Sequence, residues 1–485
     1  MAANYKKSLE LWEKHGEHLL MAMPYLDGLI SEADGCLLRD LDGNEMLDLA
    51  AGQFCSILGH NHPKLIQKIT DQLQRVLHIG TQFLSPVVLE AASKFAEVAP
   101  GNLNKALFLS TGTEANECAI SLAKMYTHKT GIVSFSRGYY GLSLATKSLS
   151  TMFTRGAKHG DLPRVPDSFN VLAPYCYRCP VHTKYPECNF SCLKTSIDTG
   201  LAGDDNIAAV IVEPIISAGG MIVPPPGYMK ALKEFAEERE ALLIVDEAQT
   251  GFGRTGKWFA IQHHDVQPDI LVVSKSCGAG FPVSGLITTD EIADAVTSQG
   301  FTHLASHQTD PVPAAAVSAM IDIVREEGLV RAAEENGRYF MERLRELQSR
   351  HPIAVDVRGQ GLMIGMELAN ADGTGDDSLT VPVMLLCREK GVHLTFSYFE
   401  PVLRFIPPLT ISRSQIDTVI TVLDEALGKV ERKEFNVEQL LPTNRFSREY
   451  TDKLRGKRSF KRILSKLYET SPQNLIRKLS EAVGK

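Results

Sequence analysis

A carboxylate and a lysine follow two apolar, β-branched runs in the middle of the chain. The runs are residues 241–245 and 270–273, and Asp246 and Lys275 come directly or almost directly after them. Each run has the length and composition of a buried parallel strand. Because ligands bind beyond the carboxyl ends of the strands in open α/β sheets, we expect Asp246 and Lys275 to face one small molecule.

This pair suits the chemistry of pyridoxal phosphate (PLP). The amine of Lys275 would form a Schiff base with the cofactor, and Asp246 would keep its pyridinium nitrogen protonated so that the ring accepts electrons. The alternative is that Asp246 caps a helix and Lys275 is a solvated loop residue. The glycine-rich segment S-K-S-C-G-A-G-F-P-V-S-G around the lysine favours the first interpretation, since glycines let a backbone approach a ligand closely.

A second segment predicts an anion site. L-F-L-S-T-G-T-E-A-N-E has the pattern of a strand, a tight turn and a helix. The first N–H groups of that helix, with the hydroxyl groups of Ser110, Thr111 and Thr113, would bind a phosphate. Alternatively, Ser110 or Thr111 serves only as a helix N-cap.

The segment V-D-E-A-Q-T-G-F-G-R-T-G, followed by P-D-I and S-K, resembles the signature of the class III PLP-dependent aminotransferases. The resemblance extends from about Leu29 to Ala426. Within that family the chain is most similar to the 2,2-dialkylglycine decarboxylases, through A-G-Q-F-C-S-I-L-G-H-N-H-P, V-E-P-I-I-S-A-G-G and H-Q-T-D-P-V-P-A-A.

The resemblance implies an α/β fold, the fold-type I PLP-dependent transferase fold. A large domain with a mostly parallel central sheet between helices would be joined to a smaller α+β domain. The predicted parts are an N-terminal segment of the small domain (1–57), a large PLP-binding domain (58–320) with a cysteine-containing loop (174–192), a C-terminal small domain (321–432) and a basic helical extension (433–485).

The resemblance also assigns the site residues. The implied catalytic residues are Lys275, Asp246, Gln53 and Arg404. The implied cofactor contacts are Thr111, Gly112, Thr113, Tyr139, Glu213, Asp246, Gln249, Lys275 and, across a dimer interface, Ser306. Tyr139 would stack on the cofactor ring; the family usually has histidine at the next position, where this chain has Tyr140.

Two of these residues bear on which bond of an amino acid breaks. Arg404, in the R-x-x-P-P-L segment, corresponds to the family's bidentate clamp for the substrate carboxylate, although a lone arginine at a strand end is usually a surface ion pair. A carboxylate clamped in the ring plane leaves the Cα–H bond to break, which gives transamination or racemisation. Gln53 corresponds to the decarboxylation-site glutamine, which with Lys275 would hold the carboxylate perpendicular so that CO₂ leaves.

The sequence therefore leaves several functions open. The leading hypothesis is decarboxylation-dependent transamination of 2,2-dialkylglycines with pyruvate. The alternatives are an ω- or α-amino acid aminotransferase, an amino-acid racemase or 2-epimerase (favoured by the Y-C-Y-R-C-P loop), and a non-enzymatic binding protein on this fold. The implied partners are a small amino acid, a keto acid and a second copy of the chain, in a homodimer or a dimer of dimers with active sites at the interface.

Two metal sites are also predicted. The resemblance implies that potassium binds beside the active site, where one carboxylate and neutral oxygens suit a monovalent cation. Alternatively, Asp310 only turns the chain before Pro311. The predicted potassium ligands are Ile79, Thr81, Ser306, Gln308 and Asp310. The spacing C-x2-C-x8-C-x3-C of Cys176, Cys179, Cys188 and Cys192 is compatible with zinc, but the short gap favours a loop of reduced or partly paired thiols.

Bulk properties restrict the remaining possibilities. With 485 residues, 44% of them hydrophobic, the chain is too long for one core. The net charge of −7 argues against nucleic-acid binding, and the lack of a signal-like or membrane-length apolar run predicts a cytoplasmic protein. The tail 436–485 has twelve Lys and Arg against five Asp and Glu, and it predicts two amphipathic helices that pack on the acidic body.

Overall fold

The structure is a computed structural model. It describes residues 5–20, 25–151, 165–201, 205–370, 372–375, 377–397 and 400–435. The helices predicted for the basic tail lie outside the described residues.

Strands and helices alternate through most of the chain. The strands are β1 (Ile30–Asp34), β2 (Leu37–Asp40), β3 (Glu45–Asp48), β4 (Leu103–Leu109), β5 (Gly131–Phe135), β6 (Ser168–Val171), β7 (Ile207–Val212), β8 (Leu242–Asp246), β9 (Ile270–Val273), β10 (Ser284–Thr289), β11 (Ala354–Gln360), β12 (Met363–Leu368), β13 (Val392–His393), β14 (Thr395–Phe396) and β15 (Val402–Phe405). The helices are α1 (Lys6–His15), α2 (Ala51–Phe54), α3 (Pro63–Arg75), α4 (Pro86–Val98), α5 (Gly112–Thr127), α6 (Leu144–Leu149), α7 (Ser191–Gly200), α8 (Tyr228–Glu237), α9 (Asp290–Ser298), α10 (Pro311–Glu326), α11 (Leu329–Arg350), α12 (Asp377–Glu389) and α13 (Arg413–Glu431).

The largest sheet has seven strands in the order β4-β10-β9-β8-β7-β5-β6. Adjacent strands from β9 to β6 are parallel, whereas β10 runs antiparallel to both of its neighbours. Sheets in which parallel strands dominate are covered by helices on both faces, because the crossover connections place helices there. The predicted mostly parallel central sheet is therefore confirmed.

Alternation of side chains explains why the central strands are apolar throughout. Leu243 and Val245 of β8 belong to the core on one face of the sheet, whereas Leu242 and Ile244 belong to the core on the other. Helix α5 packs on the second face, against β7, β8 and β9. A strand with two buried faces has no solvent-facing position, so it appears in the sequence as a continuous apolar run.

Two smaller four-stranded sheets flank this core, with the orders β1-β2-β3-β13 and β11-β12-β15-β14. The first sheet joins two distant parts of the chain, because β13 pairs in parallel with β3, with Val392 opposite Leu47. The N-terminal segment thus shares a sheet with residues of the predicted C-terminal small domain, while the domain boundaries themselves stay a prediction. No helix among the described residues is long and apolar enough to span a membrane; the cytoplasmic location stays a prediction.

Two helical glycines allow a matched test of this packing. A Cβ on Gly337 of α11 would lie 2.2 Å from the Gly361 backbone, whereas one on Gly428 of α13 would meet only the end of the Arg432 side chain, at 3.0 Å. Alanine gains about 1 kcal/mol of helix propensity over glycine at both positions. We expect Gly337→Ala nevertheless to lower the free energy of unfolding by about 1–3 kcal/mol, because backbone cannot move aside cheaply.

Chemical unfolding of both variants checks this prediction. Gly428→Ala should equal or exceed the wild type in stability. If Gly337→Ala is as stable as Gly428→Ala, the close approach of α11 to residue 361 is wrong.

Candidate active site

Three neighbouring parallel strands are followed by ionisable side chains at one edge of the central sheet. Glu213 follows β7, Asp246 ends β8, and Lys275 comes two residues after β9. The strands pair directly, with Asp246 opposite Val272. Burial raises the pKa values of both carboxyl groups, and the positive charge of Lys275 opposes that rise in part. The structure thus brings together the two residues from which the sequence analysis began.

Asp246 is a buried carboxylate with two hydrogen-bond donors. Asn116 Nδ2 donates to one oxygen at 2.8 Å, and the Ala248 N–H donates to the other at 2.9 Å. Burial raises the pKa of Asp246, and these hydrogen bonds oppose that rise only in part. The side chain precedes a turn and not a helix, so the helix-cap alternative is wrong. A buried carboxylate needs a cationic or hydrogen-bonding partner, which a protonated pyridine nitrogen would supply.

Glu213 has the opposite character, because it is a carboxyl group that holds its proton near neutral pH. Burial, with the adjacent charge of Asp246, raises the pKa of Glu213 to about 8. The N–H groups of Tyr139 and Ser217 donate to its two oxygens at 2.9 and 3.4 Å. When protonated, Glu213 can donate a hydrogen bond to an oxygen of a bound ligand.

The start of α5 lies against the residue that precedes the lysine. A Cβ on Gly112 would lie 2.9 Å from the side chain of Ser274, so only glycine fits this contact without displacement. Thr111 is the N-cap, and its hydroxyl accepts from the Glu114 N–H at 3.2 Å. The capping role and a phosphate role are compatible, since the first N–H groups of a helix have no partner within it.

The two tyrosines after β5, Tyr139 and Tyr140, lie in different environments. The backbone of Tyr139 is fixed by Glu213, whereas Tyr140, where the family usually has histidine, is 1% exposed and packs in the core beneath α5. The Tyr140 carbonyl accepts from Asn116 Nδ2 at 2.8 Å, and the same amide holds Asp246. Asn116 is thus a site residue that the sequence analysis quoted within a motif without a role.

The residues at this edge fit PLP. Gln249 is buried, and its Oε1 atom has no hydrogen-bond partner among the described residues, as expected if a ligand supplies one. Asp246 would hold the pyridine nitrogen, Gly112 and the α5 N-terminus the phosphate, and Lys275 the aldehyde carbon. The contact of Ser306 with a second subunit's cofactor stays a prediction.

A turn of left-handed backbone lies beside this edge. Ala51, Gly52, Gln53 and Phe54 have φ angles of 44°, 54°, 61° and 72°. Residues other than glycine pay a steric penalty in this region and normally visit it singly. Consecutive left-handed residues therefore need strong local support, and such strain concentrates at functional sites.

Asp48 supplies that support. It is 1% exposed, and its carboxylate accepts from the N–H groups of Ala50 and Gly52 at 2.9 and 2.7 Å and pairs with His60 Nε2 at 2.9 Å. Burial would raise the pKa of Asp48, but the hydrogen bond with His60, the nearby His393 and the two N–H donors lower it overall.

The turn connects the predicted substrate-binding residues. The Arg404 guanidinium lies 4.9 Å from the centre of the Phe54 ring, and the Phe54 carbonyl accepts from Ser276 Oγ at 3.2 Å. Arg404 lies on β15, an inner strand of its sheet, and is 2% exposed, so the surface ion-pair alternative is wrong. Gln53, next to Phe54 in the chain, is exposed and accessible to a ligand.

Asp310 has a different environment from the one the potassium prediction implies. Asp310 is the N-cap residue of α10, but its side chain accepts no hydrogen bond from the helix. Instead, one carboxylate oxygen lies 2.7 Å from Nδ1 of His78, and the other lies 2.7 Å from Nδ1 of His307. Potassium binding by Ile79, Thr81, Ser306, Gln308 and Asp310 stays a prediction.

The cysteine-containing loop is anchored by charges that the sequence analysis missed. Tyr175 and Arg178 both bond to Glu367 of β12, which is fully buried, and Arg358 Nη1 approaches the same carboxylate at 2.8 Å. All four thiols of the loop are reduced and line one small pocket with Tyr185 and Phe190. Zinc binding by these thiols stays a prediction.

The support that Asp48 gives to the left-handed turn can be tested through stability. We expect Asp48→Asn to lower the free energy of unfolding by about 1–3 kcal/mol at pH 7, because one N–H donor or His60 loses its acceptor. Since the folded-state pKa of Asp48 is depressed, its contribution is complete above the ordinary aspartate pKa and is lost as pH falls through the folded value. The difference in the free energy of unfolding between the wild type and Asp48→Asn should therefore become smaller as the pH falls.

Thermal unfolding from pH 7 down to the acid limit measures this gap. Asp372→Asn is the matched control, because Asp372 also accepts from a nearby N–H and hydroxyl but is exposed. Equal effects of the two substitutions, or a gap that widens in acid, would contradict the role given to Asp48.

Comparison with known proteins agrees with this site. The family model "Aminotransferase class-III" matches residues 22–427. An uncharacterised aminotransferase of Schizosaccharomyces pombe is 38% identical over 82% of this chain and 90% of its own length. The leucine/methionine racemase of Thermococcus litoralis is 34% identical over 84% and 92%. The isoleucine 2-epimerase of Lentilactobacillus buchneri is 34% identical over 85% and 92%.

Solved structures agree as well. A Bacillus anthracis aminotransferase superposes with a TM-score of 0.82 at 29% identity, covering 88% of this chain and 100% of its own. An amine transaminase from an uncultivated Pseudomonas species, in its PLP-bound form, gives a TM-score of 0.78 at 28% identity over 83% and 95%. The predicted fold class and family are confirmed: the chain belongs to the class III aminotransferase family of PLP-dependent enzymes.

Proposed function

We propose that the protein acts on α-amino acids, and that its leading reaction is decarboxylation-dependent transfer of the amino group of a 2,2-dialkylglycine to pyruvate. The observation that carries this proposal is the left-handed turn at residues 51–54. Gln53 of this turn has an exposed amide, and Phe54, the next residue in the chain, carries the ring over which the buried Arg404 lies. In this proposal, the Arg404 guanidinium and the Gln53 amide are two groups that can each bind the substrate carboxylate.

Arg404 and Gln53 would bind the substrate carboxylate in different ways. Arg404 binds a carboxylate through two parallel N–H bonds, which gives a strong and directional contact. The Gln53 amide can donate one hydrogen bond without a charge, so it orients a carboxylate without stabilising it so strongly that its loss is prevented. An interaction that accelerates CO₂ loss must be stronger in the transition state than in the bound substrate.

The remaining residues would support the chemistry of the cofactor, which when bound delocalises the electrons of the broken Cα bond. Asp246 keeps the pyridine nitrogen protonated because a buried carboxylate is stabilised by that positive charge. Lys275 carries protons to and from the substrate carbon. Glu213, whose pKa burial raises to about 8, would stay neutral at pH 7 and would donate a hydrogen bond to the ring oxygen of the bound cofactor.

A second candidate is amino-acid racemisation or 2-epimerisation. The comparison with two relatives of that activity, each 34% identical, supports it, as does the anchored loop that carries Tyr175 and Arg178. In this case Arg404 alone would hold the carboxylate, and Lys275 would remove and return the Cα proton. The residues that bind the cofactor are the same in both candidates.

The proposal includes a homodimer or a dimer of dimers. Large apolar side chains are exposed in the two loops that flank Asp310, among them Leu77 at 64%, Phe83 at 70% and Leu304 at 79%. Exposed apolar surface of this kind typically marks a protein interface. The same region contains Ser306, the residue expected to reach a second subunit's cofactor phosphate.

Product analysis tests whether the enzyme breaks the bond from Cα to the carboxylate or the Cα–H bond. With 2-aminoisobutyrate and pyruvate, we expect the wild-type enzyme to release CO₂ and to form acetone and alanine. Gln53→Ala should slow CO₂ release by ~10²-fold, the effect of losing one oriented hydrogen bond at a reacting centre. Amino transfer from L-alanine should fall much less, because Arg404 suffices for it. Gln67→Ala, which removes an exposed amide on α3, is the control.

The same assay with L-isoleucine separates the two candidates. A wild-type enzyme that epimerises isoleucine and never releases CO₂ from 2-aminoisobutyrate would reject the decarboxylase proposal in favour of the second candidate. An equal loss of both activities in Gln53→Ala would show that the amide is needed for general binding only.

A further inference from the structure

We propose that His78, His307 and Asp310 form a binding site for one divalent transition-metal ion, of which Zn²⁺ is the representative. One potential ligand atom from each residue lies within 4.8 Å of the others. Both imidazoles present Nδ1 to the same carboxylate, at 2.7 Å from its two oxygens. This inference does not depend on which amino acid the enzyme transforms.

The fold fixes the three residues from two distant parts of the chain. His78 follows α3, whereas His307 and Asp310 lie three residues apart in the segment that leads into α10, with Asp310 as the N-cap. The second part is held firmly, because the Thr309 N–H donates to the Phe108 carbonyl at 2.9 Å, at the end of β4. Asp310 is itself 6% exposed. The carboxylate is thus fixed by the scaffold, and the two histidines converge on it.

The donor set determines the class of ion. Potassium, magnesium and calcium prefer oxygen ligands, whereas imidazole nitrogen suits zinc, nickel, copper and cobalt. Two imidazoles and one carboxylate are a common three-residue set for zinc that leaves a further position for water. The potassium prediction uses the same Asp310, so here the two nitrogens would compete with that ion for the carboxylate.

In the single chain, before any subunit contact forms, both histidines are open to an entering ion. Their side chains are 43% and 67% exposed, and the two rings lie 4.9 Å apart at an angle of 52°. On binding, each imidazole would present the lone pair of Nδ1 to the ion and carry its proton on Nε2, so that a metal–nitrogen bond takes the place of each contact between Nδ1 and Asp310. The potential ligand atoms already lie within 4.8 Å of one another, and an ion bound to all three would draw them closer.

A bound ion would join the loop after α3 to the start of α10. These segments carry Leu77 and Leu304, the exposed apolar residues of the proposed subunit contact. The Phe108 carbonyl that holds Thr309 lies three residues before Thr111 of the phosphate cradle. We therefore assign the ion a structural role between the subunit contact and the cofactor phosphate, and not a role in bond breaking.

Metal binding to the full-length holoenzyme tests the proposal. After chelator treatment, Zn²⁺ uptake is measured by equilibrium dialysis in potassium buffer and again in sodium buffer. We expect about one equivalent to bind with histidine and carboxylate ligands, which X-ray absorption distinguishes from thiolate by Zn–N distances near 2.0 Å rather than Zn–S distances near 2.3 Å. The double variant His78→Ala/His307→Ala should bind this equivalent at least ~10-fold more weakly.

Two controls separate this site from others. His18→Ala/His128→Asn removes two exposed histidines elsewhere and should bind like the wild type. Cys176→Ser/Cys179→Ser should retain the nitrogen-ligated equivalent. Equal zinc uptake by wild type and the His78/His307 variant, a purely sulfur-ligated ion, or loss of the zinc when potassium replaces sodium would each overturn the proposal.

Discussion

The site depends on one costly interaction, the burial of the Asp246 carboxylate at the end of β8. Removing an ionised carboxylate from water costs several kcal/mol unless charges and hydrogen bonds replace the lost hydration. Asn116 and the Ala248 N–H satisfy part of this requirement, and burial still raises the pKa of Asp246. A positively charged ligand atom at this position would stabilise the carboxylate, and the protonated ring nitrogen of PLP would supply one.

The parallel sheet makes this arrangement possible. Because β7, β8 and β9 run side by side, the residues that follow them share one edge, and their charges influence one another. The same burial has opposite chemical consequences at two of these residues. Asp246 retains hydrogen bonds and a lysine nearby that favour its charge, whereas Glu213 holds a proton up to a pH of about 8. A negative anchor and a neutral donor thus arise from two carboxyl groups in adjacent strands.

The substrate side of the site depends on strain held in place by Asp48. The hydrogen bonds that this carboxylate accepts from Ala50 and Gly52 stabilise four successive residues with left-handed φ angles. The turn also carries Phe54, whose ring lies against the Arg404 guanidinium, and Gln53, whose side chain is exposed. In the proposed function, binding of the substrate carboxylate would therefore depend on a local structure far along the chain from Lys275.

The sequence predicted those parts that depend on local pattern. The strand at Ile270–Val273 and the one ending at Asp246 follow from apolar runs buried on both faces. The roles of Asn116, Asp48 and the two histidines at Asp310 were not predicted, because each depends on contacts between segments distant in the chain. The R-x-x-P-P-L resemblance indicated a carboxylate clamp at Arg404, but the burial of this residue was not predicted, because β12, one of the two strands beside it, is distant in sequence. No local pattern indicated the backbone angles of the turn at Gln53, apart from the single glycine before it.

The central claim is that one lysine, at the end of β9, holds the cofactor at this edge. Borohydride reduction of the PLP-loaded protein fixes the cofactor to its lysine, and peptide mass mapping then locates the added mass. We expect one modified residue, Lys275, in stoichiometric amount. Modification of another lysine, or the same yield in a Lys275→Ala variant, would contradict the account.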